Sequence, residues 1–230
     1  MSPTAVADTE FVVHSIAQTA VDNEKEFGDL DAVVGDGDFG YSLARGFEIV
    51  LQDWDSYDRS SPAVFLQKIA MVISGRVGGT SGPLWGTAFL RASTSARDKA
   101  ELTGADVVVM LRAAIEGIKA RGNSDVGDKT LLDALVPATD ALEQAIGQGD
   151  GAADSVAKAA LVARSSADAT TSMQAMRGRA SYTGERSIGS PDPGAVAVRS
   201  FWNAWAPSGP GAEPPTLSRP TPSRRCVIRS

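Results

Sequence analysis

The sequence predicts an all-α protein in which about eight helices alternate up and down. Aromatic residues make up only 6% of the 230 residues and alanine is abundant, a composition that favours packed helices over a β-sandwich. Hydrophobic residues make up 43% of the chain and recur mostly at helical spacing, so no stretch is a convincing strand. Four Gly-rich polar segments separate the helical stretches. The length suits one large domain or two small ones.

The first four helices are predicted from apolar stripes and start signals. One stripe with interspersed alanines covers about residues 4–26, and a second runs from residue 39 or 41 to residue 54. Ser61-Pro62 marks the start of the third helix, because Ser is a favoured N-cap and Pro suits the first turn. That helix should end near Ser74, and the fourth passes through residues 84–90.

Four further helices complete the prediction. The fifth, about residues 104–118, contains the run Val107–Met110, which alone could be a buried strand. The apolar period continues beyond this run and favours a helix. The sixth helix covers about residues 131–146, the Ala-rich seventh residues 154–177, and the last residues 195–204.

The end of the chain differs in composition from the rest. Six of the 12 prolines lie in residues 206–230. Such a segment cannot bury enough apolar surface to fold, and we expect it to be disordered. The predicted organisation is therefore a helical domain of residues 1–205 followed by a disordered tail of residues 206–230.

Charge and cysteine content limit the possible partners and compartment. The net charge of −6 argues against nucleic acid or an anionic membrane as the main partner. The single cysteine, Cys226, excludes an internal disulfide and fits a reducing cytoplasm. The N-terminus lacks the pattern of a signal peptide, and no apolar run approaches the roughly 20 residues that span a bilayer. A cytoplasmic protein is expected.

Three acids stand close together between the first two helices. Asp31, Asp36 and Asp38 fall within eight residues, with Gly35 and Gly37 beside them. Like charges a few ångström apart repel, and a cation removes that cost. Mg2+ prefers carboxylate oxygens and completes its shell with water and phosphate oxygens. The stretch therefore predicts a loop that holds one or two Mg2+ ions against a polyphosphate.

This stretch is open to three other interpretations. A solvated acidic turn without a ligand is common for Asp-Gly pairs. A calcium-binding EF-hand loop would need an acid or Asn at position 40, where this chain has Gly40. The glycines at 35, 37 and 40 also match the dinucleotide fingerprint G-x-G-x-x-G. Asp36 and Asp38 would repel a bare pyrophosphate there, and the preceding residues are typical of a helix rather than a strand.

The other polar loops should lie at the same end of the bundle as the acids. They follow the third, fifth and seventh helices, and in an alternating bundle loops an even number of helices apart open at one end. The second, residues 75–83, offers backbone donors and the hydroxyls of Thr80 and Ser81 at a helix start, which suits phosphate. The third covers residues 121–130, and the fourth, residues 178–194, carries two arginines. This segregation predicts a composite site.

Together these loops resemble the L subunits of bacterial dihydroxyacetone kinases, the DAK2 or DhaL-type domain family. The resemblance spans roughly residues 5–204. Its matching stretches are Leu30-Asp31, Gly35-Asp36-Gly37-Asp38, Gly78-Gly79-Thr80-Ser81-Gly82-Pro83-Leu84, Gly127-Asp128-Lys129-Thr130, Gly178-Arg179-Ala180-Ser181-Tyr182 and Asp192-Pro193-Gly194-Ala195.

The resemblance implies an eight-helix antiparallel up-and-down barrel with a Mg-nucleotide, ATP or ADP, bound at one end. Asp31, Asp36 and Asp38 would hold two Mg2+ ions and, with Arg179 as a positive clamp, would form the catalytic set. Phe39 stands where relatives often carry His or Thr, so its side chain can offer no hydrogen bond to phosphate. The nucleotide would contact Phe39, Gly40, Tyr41, Ser42, Thr80, Ser81, Gly122, Leu131, Arg179, Pro191, Asp192 and Pro193.

The resemblance also implies half of an active site. The family transfers a phosphoryl group to dihydroxyacetone or a similar short ketose, which a histidine of a separate K subunit or domain holds covalently. His14, the only histidine here, does not match that role. The donor would be exchanging ATP, or bound ADP that a phosphotransferase-system M subunit recharges. A homodimer or hetero-oligomer is expected.

Three other functions remain open from the sequence. The acceptor could be a four-carbon ketose such as erythrulose. The chain could instead be a Mg-nucleotide module that binds without turnover and reports to a regulator. An NAD-dependent enzyme, through the literal glycine fingerprint, would require substantial strand content.

Overall fold

The computed structural model describes residues 5–99 and 101–207, and within them the protein is helical without a β-strand. The all-α prediction is confirmed. The helices are α1 Ala5–Asp22, α2 Glu24–Asp31, α3 Phe39–Gln52, α4 Pro62–Arg76, α5 Ser81–Ser95, α6 Gly104–Gly122, α7 Leu132–Gly147, α8 Ala152–Ala169 and α9 Pro193–Trp205. Short 3-10 helices cover Trp54–Ser56, Thr170–Ser172 and Arg179–Ser187.

The helices form a closed antiparallel barrel. From α3 to α9 each helix packs on the next one in the chain, and the connections between them reverse the direction each time. Helix α9 packs back on α1 and α2, and both of these pack on α3. Helices α1 and α2 therefore occupy together one helical position of the ring, here called a stave. The ring therefore has eight staves, as the resemblance implied. No helix of the described residues has the length and apolarity to cross a bilayer.

The core lies inside this ring. Its largest fully buried side chains include Phe27, Phe47, Phe65 and Ile69. Helix α8 contributes mostly alanines, and Ala163 and Ala167 are completely buried. Small side chains on this helix let its neighbours α7 and α9 approach closely, which explains why an Ala-rich segment is a stave of the barrel.

The predicted first helix is divided at Asn23. The backbone there leaves the helical region, and the Asn23 side chain donates to the carbonyl of Thr19 at 2.8 Å. Side chains that bond the local backbone compete with the helix ladder, which accounts for the break. The separate helix α2 then ends at Asp31, so the break positions the first acid of the predicted site.

The predicted seventh helix is shorter than expected. It ends at Ala169 rather than near 177, because Thr170 donates its hydroxyl to the carbonyl of Ala167 at 2.6 Å. Residues 173–190, here called the strap, then cross to α9 and include the 3-10 helix Arg179–Ser187. Of the predicted tail, residues 208–230 lie outside the described residues, so the domain division stays a prediction.

Ser61 caps α4 as predicted. Its hydroxyl accepts a hydrogen bond from the amide of Val64 at 3.2 Å, and Pro62 occupies the first turn. This is one of the helix starts that the sequence shows directly.

Replacing Gly40 by alanine should destabilise the fold strongly. A Cβ at Gly40 would lie 2.0 Å from the carbonyl oxygen of Glu24 and 2.5 Å from the amide nitrogen of Gly28, both backbone atoms. We expect Gly40→Ala to lower the free energy of unfolding by about 3 kcal/mol, measured by denaturant titration. Gly75→Ala is the control, since its Cβ would meet nothing within 4 Å; it should raise stability by about 0.5 kcal/mol. Equal effects of the two changes would contradict the close α2–α3 contact.

Candidate functional site

Asp31, Asp36 and Asp38, here called the acidic trio, converge where α2 ends and α3 begins. One carboxylate oxygen of each lies within 4.8 Å of the others. Asp31 also accepts a hydrogen bond from the amide of Phe39 at 3.2 Å, which joins it to the first turn of α3. A Cβ at Gly35 would lie 2.4 Å from Asp31 Oδ1, so this carboxylate leaves room only for glycine.

Arg179 reaches the acidic trio from the strap. Its Nη1 atom contacts Asp36 Oδ2 and lies 3.4 Å from Asp38 Oδ2. The three side chains are each about half exposed, at 53%, 50% and 49%. The structure therefore brings together all four residues that were predicted to be catalytic, from loops separated by about 140 residues.

The first turn of α3 lies beside the acidic trio, and its Phe39 amide is bound to Asp31. Asp38 is the N-cap residue but its side chain makes no capping hydrogen bond, so it does not occupy the amides of the first turn. Phe39 packs its ring on Phe27, with the ring centroids 6.1 Å apart. Tyr41 is 59% exposed and lies under the guanidinium of Arg45. Backbone amides and an exposed ring are thus the groups available here.

The loop with Thr80 and Ser81 lies beside this helix start. A Cβ at Gly78 would be 2.9 Å from the hydroxyl of Ser42, and one at Gly79 would be 4.0 Å from Nη2 of Arg179. Gly79 has φ +60, a conformation that glycine adopts easily. The second loop therefore joins α3 and the strap at the same end of the barrel. Thr80 caps α5 without a side-chain hydrogen bond, and Ser81 begins that helix.

The third loop joins the site through two contacts. A Cβ at Gly122 would lie 3.2 Å from Leu84 in the first turn of α5. Leu131 is 92% buried and packs against Gly194 of α9, whose Cβ would lie 3.2 Å from the Leu131 Cβ. These contacts place Gly122 beside the second loop and Leu131 beside the Asp192-Pro193 turn.

Pro191, Asp192 and Pro193 form the turn that starts α9. Asp192 Oδ1 accepts from the amide of Ala195 at 2.7 Å, and Pro193 occupies the first turn. Burial raises the pKa of the Asp192 carboxyl to about 7, and the negative charge of Asp133 adds to the rise. The capping hydrogen bond from Ala195 and the nearby Lys129 ammonium act in the opposite direction.

Asp192 should make stability depend on pH. Its folded pKa of about 7 exceeds the ordinary 3.8, so the folded state binds more protons between these values and stability falls as pH rises through the interval. Asp192→Asn keeps a good capping oxygen and removes the ionisation. We expect the melting temperature of the natural chain to fall by about 3 °C more than that of Asp192→Asn between pH 5 and pH 8. The same pH slope in both proteins would contradict the raised pKa.

Two buried charged residues near the strap were not predicted as part of the site. Asp133 is 97% buried and accepts hydrogen bonds from the amides of Gly127 and Thr130 at 2.6 and 2.7 Å. Lys129 is equally buried and donates to carbonyls of the strap. The Gly-Asp-Lys-Thr stretch marked this position in the sequence, but burial of the ammonium depends on contacts more than 40 residues away.

The acidic trio suits a hard cation. Two oxygens bound to one octahedral Mg2+ lie about 3 Å apart when adjacent and about 4 Å apart when opposite. The observed spread of up to 4.8 Å needs only a small rotation of side chains, which the half-exposed Asp36 and Asp38 can make. Amides at the start of α3 and hydroxyls at the start of α5 stand close by and favour phosphate oxygens.

The glycine pattern at 35, 37 and 40 is not a dinucleotide fingerprint. That motif requires a strand before the glycines, and residues 5–99 and 101–207 contain none. Here Gly35 leaves room for the Asp31 carboxylate, and Gly40 permits the close packing of α2 on α3.

Comparison with known proteins gives the family. The model of the DAK2 domain matches residues 33–207. A curated relative from Escherichia coli K12, named PEP-dependent dihydroxyacetone kinase, ADP-binding subunit DhaL, is 38% identical over 74% of this chain and 80% of its own length. An L-erythrulose 1-kinase from Mycolicibacterium smegmatis is also 38% identical, over 84% of this chain.

A solved structure agrees with the fold. The dihydroxyacetone kinase of C. freundii in complex with AMP-PNP and Mg2+ superimposes with a TM-score of 0.69 at 26% identity, covering 90% of this chain. The present chain spans about a third of the length of that kinase and of the M. smegmatis relative, 34% in each case. It matches the shorter E. coli subunit over most of its length. The chain belongs to the DAK2 domain family.

Proposed function

We propose that this chain is the nucleotide-binding L subunit of a dihydroxyacetone kinase. The observation that carries the proposal is the meeting of Asp31, Asp36 and Asp38 with Arg179 beside two helix starts at one end of the barrel. Acids, a guanidinium and amides at a helix start are the groups that a Mg-bound polyphosphate requires. The relative from E. coli, named as an ADP-binding subunit of such a kinase, supports it.

Each part of the site has a role in phosphoryl transfer. The acidic trio would hold Mg2+, two ions in our proposal, and Asp31 would keep its place through the amide of Phe39. Mg2+ held by these carboxylates would supply positive charge that neutralises the negative charge shifting during transfer. Arg179 would turn from Asp36 and Asp38 toward the transferred group and stabilise its oxygens.

The remaining predicted contacts would bind the nucleotide. We assign the phosphates to the first turn of α3, residues 39–42, and to Thr80 and Ser81. The exposed ring of Tyr41 offers a stacking surface next to that turn. Gly122, Leu131 and the turn 191–193 would line the side of the site toward α6 and α9.

The group that holds the acceptor ketose would come from a K subunit or domain. His14 lies on α1 and packs edge-on against Trp54, with ring centroids 5.1 Å apart, and burial lowers its pKa. It is therefore not available to hold a ketose at the site. The natural partner is a K subunit. It would dock at the end of the barrel that carries the polar loops, where several large apolar side chains are exposed. These are Val33, Tyr41, Val126, Met176, Tyr182 and Ile188.

For the phosphoryl donor and the acceptor ketose, more than one assignment is compatible with the relatives. Relatives include a dihydroxyacetone kinase subunit named PEP-dependent and a kinase named for erythrulose, so both ketoses occur in the names of similar proteins. We propose dihydroxyacetone as the acceptor, and either ATP or ADP recharged by an M subunit as the donor. We also propose a cytoplasmic homodimer or hetero-oligomer, without nucleic acid or membrane as a partner.

The test is phosphoryl transfer to dihydroxyacetone or erythrulose by the purified chain, with and without a K subunit. ATP, or phosphoenolpyruvate with the phosphotransferase-system proteins, serves as donor. Transfer only when both subunits are present would support the proposal. Tight Mg-nucleotide binding without transfer, whichever K subunit and ketose are supplied, would instead indicate a non-catalytic nucleotide module.

A further inference from the structure

The structure assigns Lys129 as a positioning residue that clamps the strap and thereby holds Arg179 over the acidic trio. Lys129 belongs to the loop between α6 and α7, and only 3% of its surface is exposed. It touches no residue of the acidic trio in the contacts described above, so its effect on transfer would pass through Arg179.

The clamp consists of three hydrogen bonds from one ammonium group. Lys129 Nζ donates to the carbonyl of Met173 at 3.1 Å, to that of Ser190 at 2.8 Å and to that of Ser187. These acceptors lie at the two ends of the strap, residues 173–190. An ammonium has three donors on one atom, so it satisfies three converging carbonyls as no neutral side chain of this length can. Buried carbonyls without donors would be costly, which makes the three contacts interdependent.

The backbone around Lys129 is arranged for this contact. Lys129 has φ +59, a conformation that costs a residue with a side chain about 1 kcal/mol or more. Asp133 accepts from the amides of Gly127 and Thr130 on either side and so holds the loop in place. A lysine kept where glycine would be easier, with its ammonium buried, indicates that the side chain rather than the turn requires this residue.

Besides Lys129, the contacts that tie the strap to its neighbours include two backbone hydrogen bonds, from the amide of Met176 to the carbonyl of Asp128 at 3.0 Å and from that of Gly189 to the carbonyl of Thr171 at 2.8 Å. Tyr182 is 89% exposed and Ile188 46%, and Arg179 is about half exposed. Arg177 pairs with Asp128 at 3.0 Å, but this exposed ion pair is a weak tether. Inside the strap, Ser187 bonds the amide of Ala175 and the carbonyl of Gly184, which makes the segment a unit that Lys129 can hold from one point.

The inference rests on the proposed function for its turnover test, whereas a second test is independent of it. Trypsin can cut the strap at Arg177, Arg179 and Arg186 once it leaves the barrel. In Lys129→Met we expect cleavage there to be faster by about 10-fold or more, while circular dichroism still reports the helices. In the assay with a K subunit, kcat should fall by about 100-fold, since small misplacement of a positioned group has effects of this size. The KM for nucleotide should change much less.

Two further variants separate clamping from general stability. Lys129→Gly relieves the cost of φ +59 and removes the clamp, so it should keep the fold and still release the strap. Lys129→Arg keeps the charge, but its planar donors cannot converge like an ammonium, and it should rescue only part of kcat. Lys158→Met is the matched control, because Lys158 pairs with Asp150 at 2.5 Å in the connection at the opposite end of the barrel. It should resemble the natural chain.

The outcomes distinguish the two proposals. If the natural chain transfers no phosphate, the proposed function fails, and the cleavage pattern still decides the role of Lys129. Natural cleavage rates and natural kcat in Lys129→Met and Lys129→Gly would overturn the inference. It would also be overturned if cleavage in both variants spread through the helices, because Lys129 would then stabilise the whole fold.

Discussion

Asp36→Asn and Asp38→Asn should each abolish phosphoryl transfer while leaving the fold intact. Both carboxylates are about half exposed and stand at the site of the proposed Mg2+ ions. Asn has the same shape without the charge, and loss of a direct ligand should weaken Mg-nucleotide binding by at least about 100-fold, since second-shell partners alone are worth 10–100-fold. We expect kcat/KM with the K subunit to fall by at least about 1000-fold.

Thermal unfolding gives the control for this prediction. MgADP should raise the melting temperature of the natural chain, because a ligand stabilises the state that binds it, and should not raise that of either variant. Without nucleotide, the variants should melt within a few degrees of the natural chain, as exposed ion pairs contribute little. Asp29→Asn, which changes an exposed acid nearby that pairs with Lys25, should behave like the natural chain. Full transfer in Asp36→Asn or Asp38→Asn would refute the metal role.

Arg179→Gln should lower kcat by about 1000-fold and leave nucleotide affinity within about 10-fold, because a guanidinium that acts on the transferred group serves mainly the transition state. The residue already lies at the acidic trio, 3.4 Å from Asp38. Arg179→Lys should recover little, since an ammonium cannot grip two phosphate oxygens in the same plane. Single-turnover transfer to dihydroxyacetone measures the effect on the chemical step, and a separate binding measurement gives the effect on nucleotide affinity.

Arg186→Gln is the matched change for Arg179. Arg186 is exposed on the same strap and makes no contact with the acidic trio in the contacts described above. Its loss should leave kcat within about twofold. If both substitutions reduced kcat equally, the general positive charge of the strap would account for the effect. If Arg179→Gln lost nucleotide affinity as much as kcat, Arg179 would bind the ground state instead.

The sequence was informative about the barrel and about which loops meet. Helical periodicity and the Ser61-Pro62 start need only local information, and the structure confirms the helical fold and this cap. Alternation of the helices then placed the polar loops at one end. In the structure, contacts of Arg179 with Asp36 and proximity of Ser42 to Gly78 join three of these loops.

The apolar pattern alone did not reveal several other features. The break at Asn23 and the early end of α8 at Ala169 both arise where a side chain bonds the backbone of the preceding turn. Thr170 also accepts from the amide of Asp192 at 2.9 Å, a contact between the end of α8 and the start of α9. Burial of Lys129 likewise depends on the path of the strap. A lysine in a Gly-rich loop would ordinarily be expected at the surface.

A crystal structure of the chain with MgADP or with Mg2+ and AMP-PNP tests the central claim most directly. We predict Mg2+ between Asp31, Asp36 and Asp38 and the nucleotide phosphates, with the phosphates on the amides at the start of α3. Arg179 should then have turned from Asp36 toward the phosphates. Nucleotide bound elsewhere, or Asp36 and Asp38 facing solvent with no ion beside them, would contradict the account.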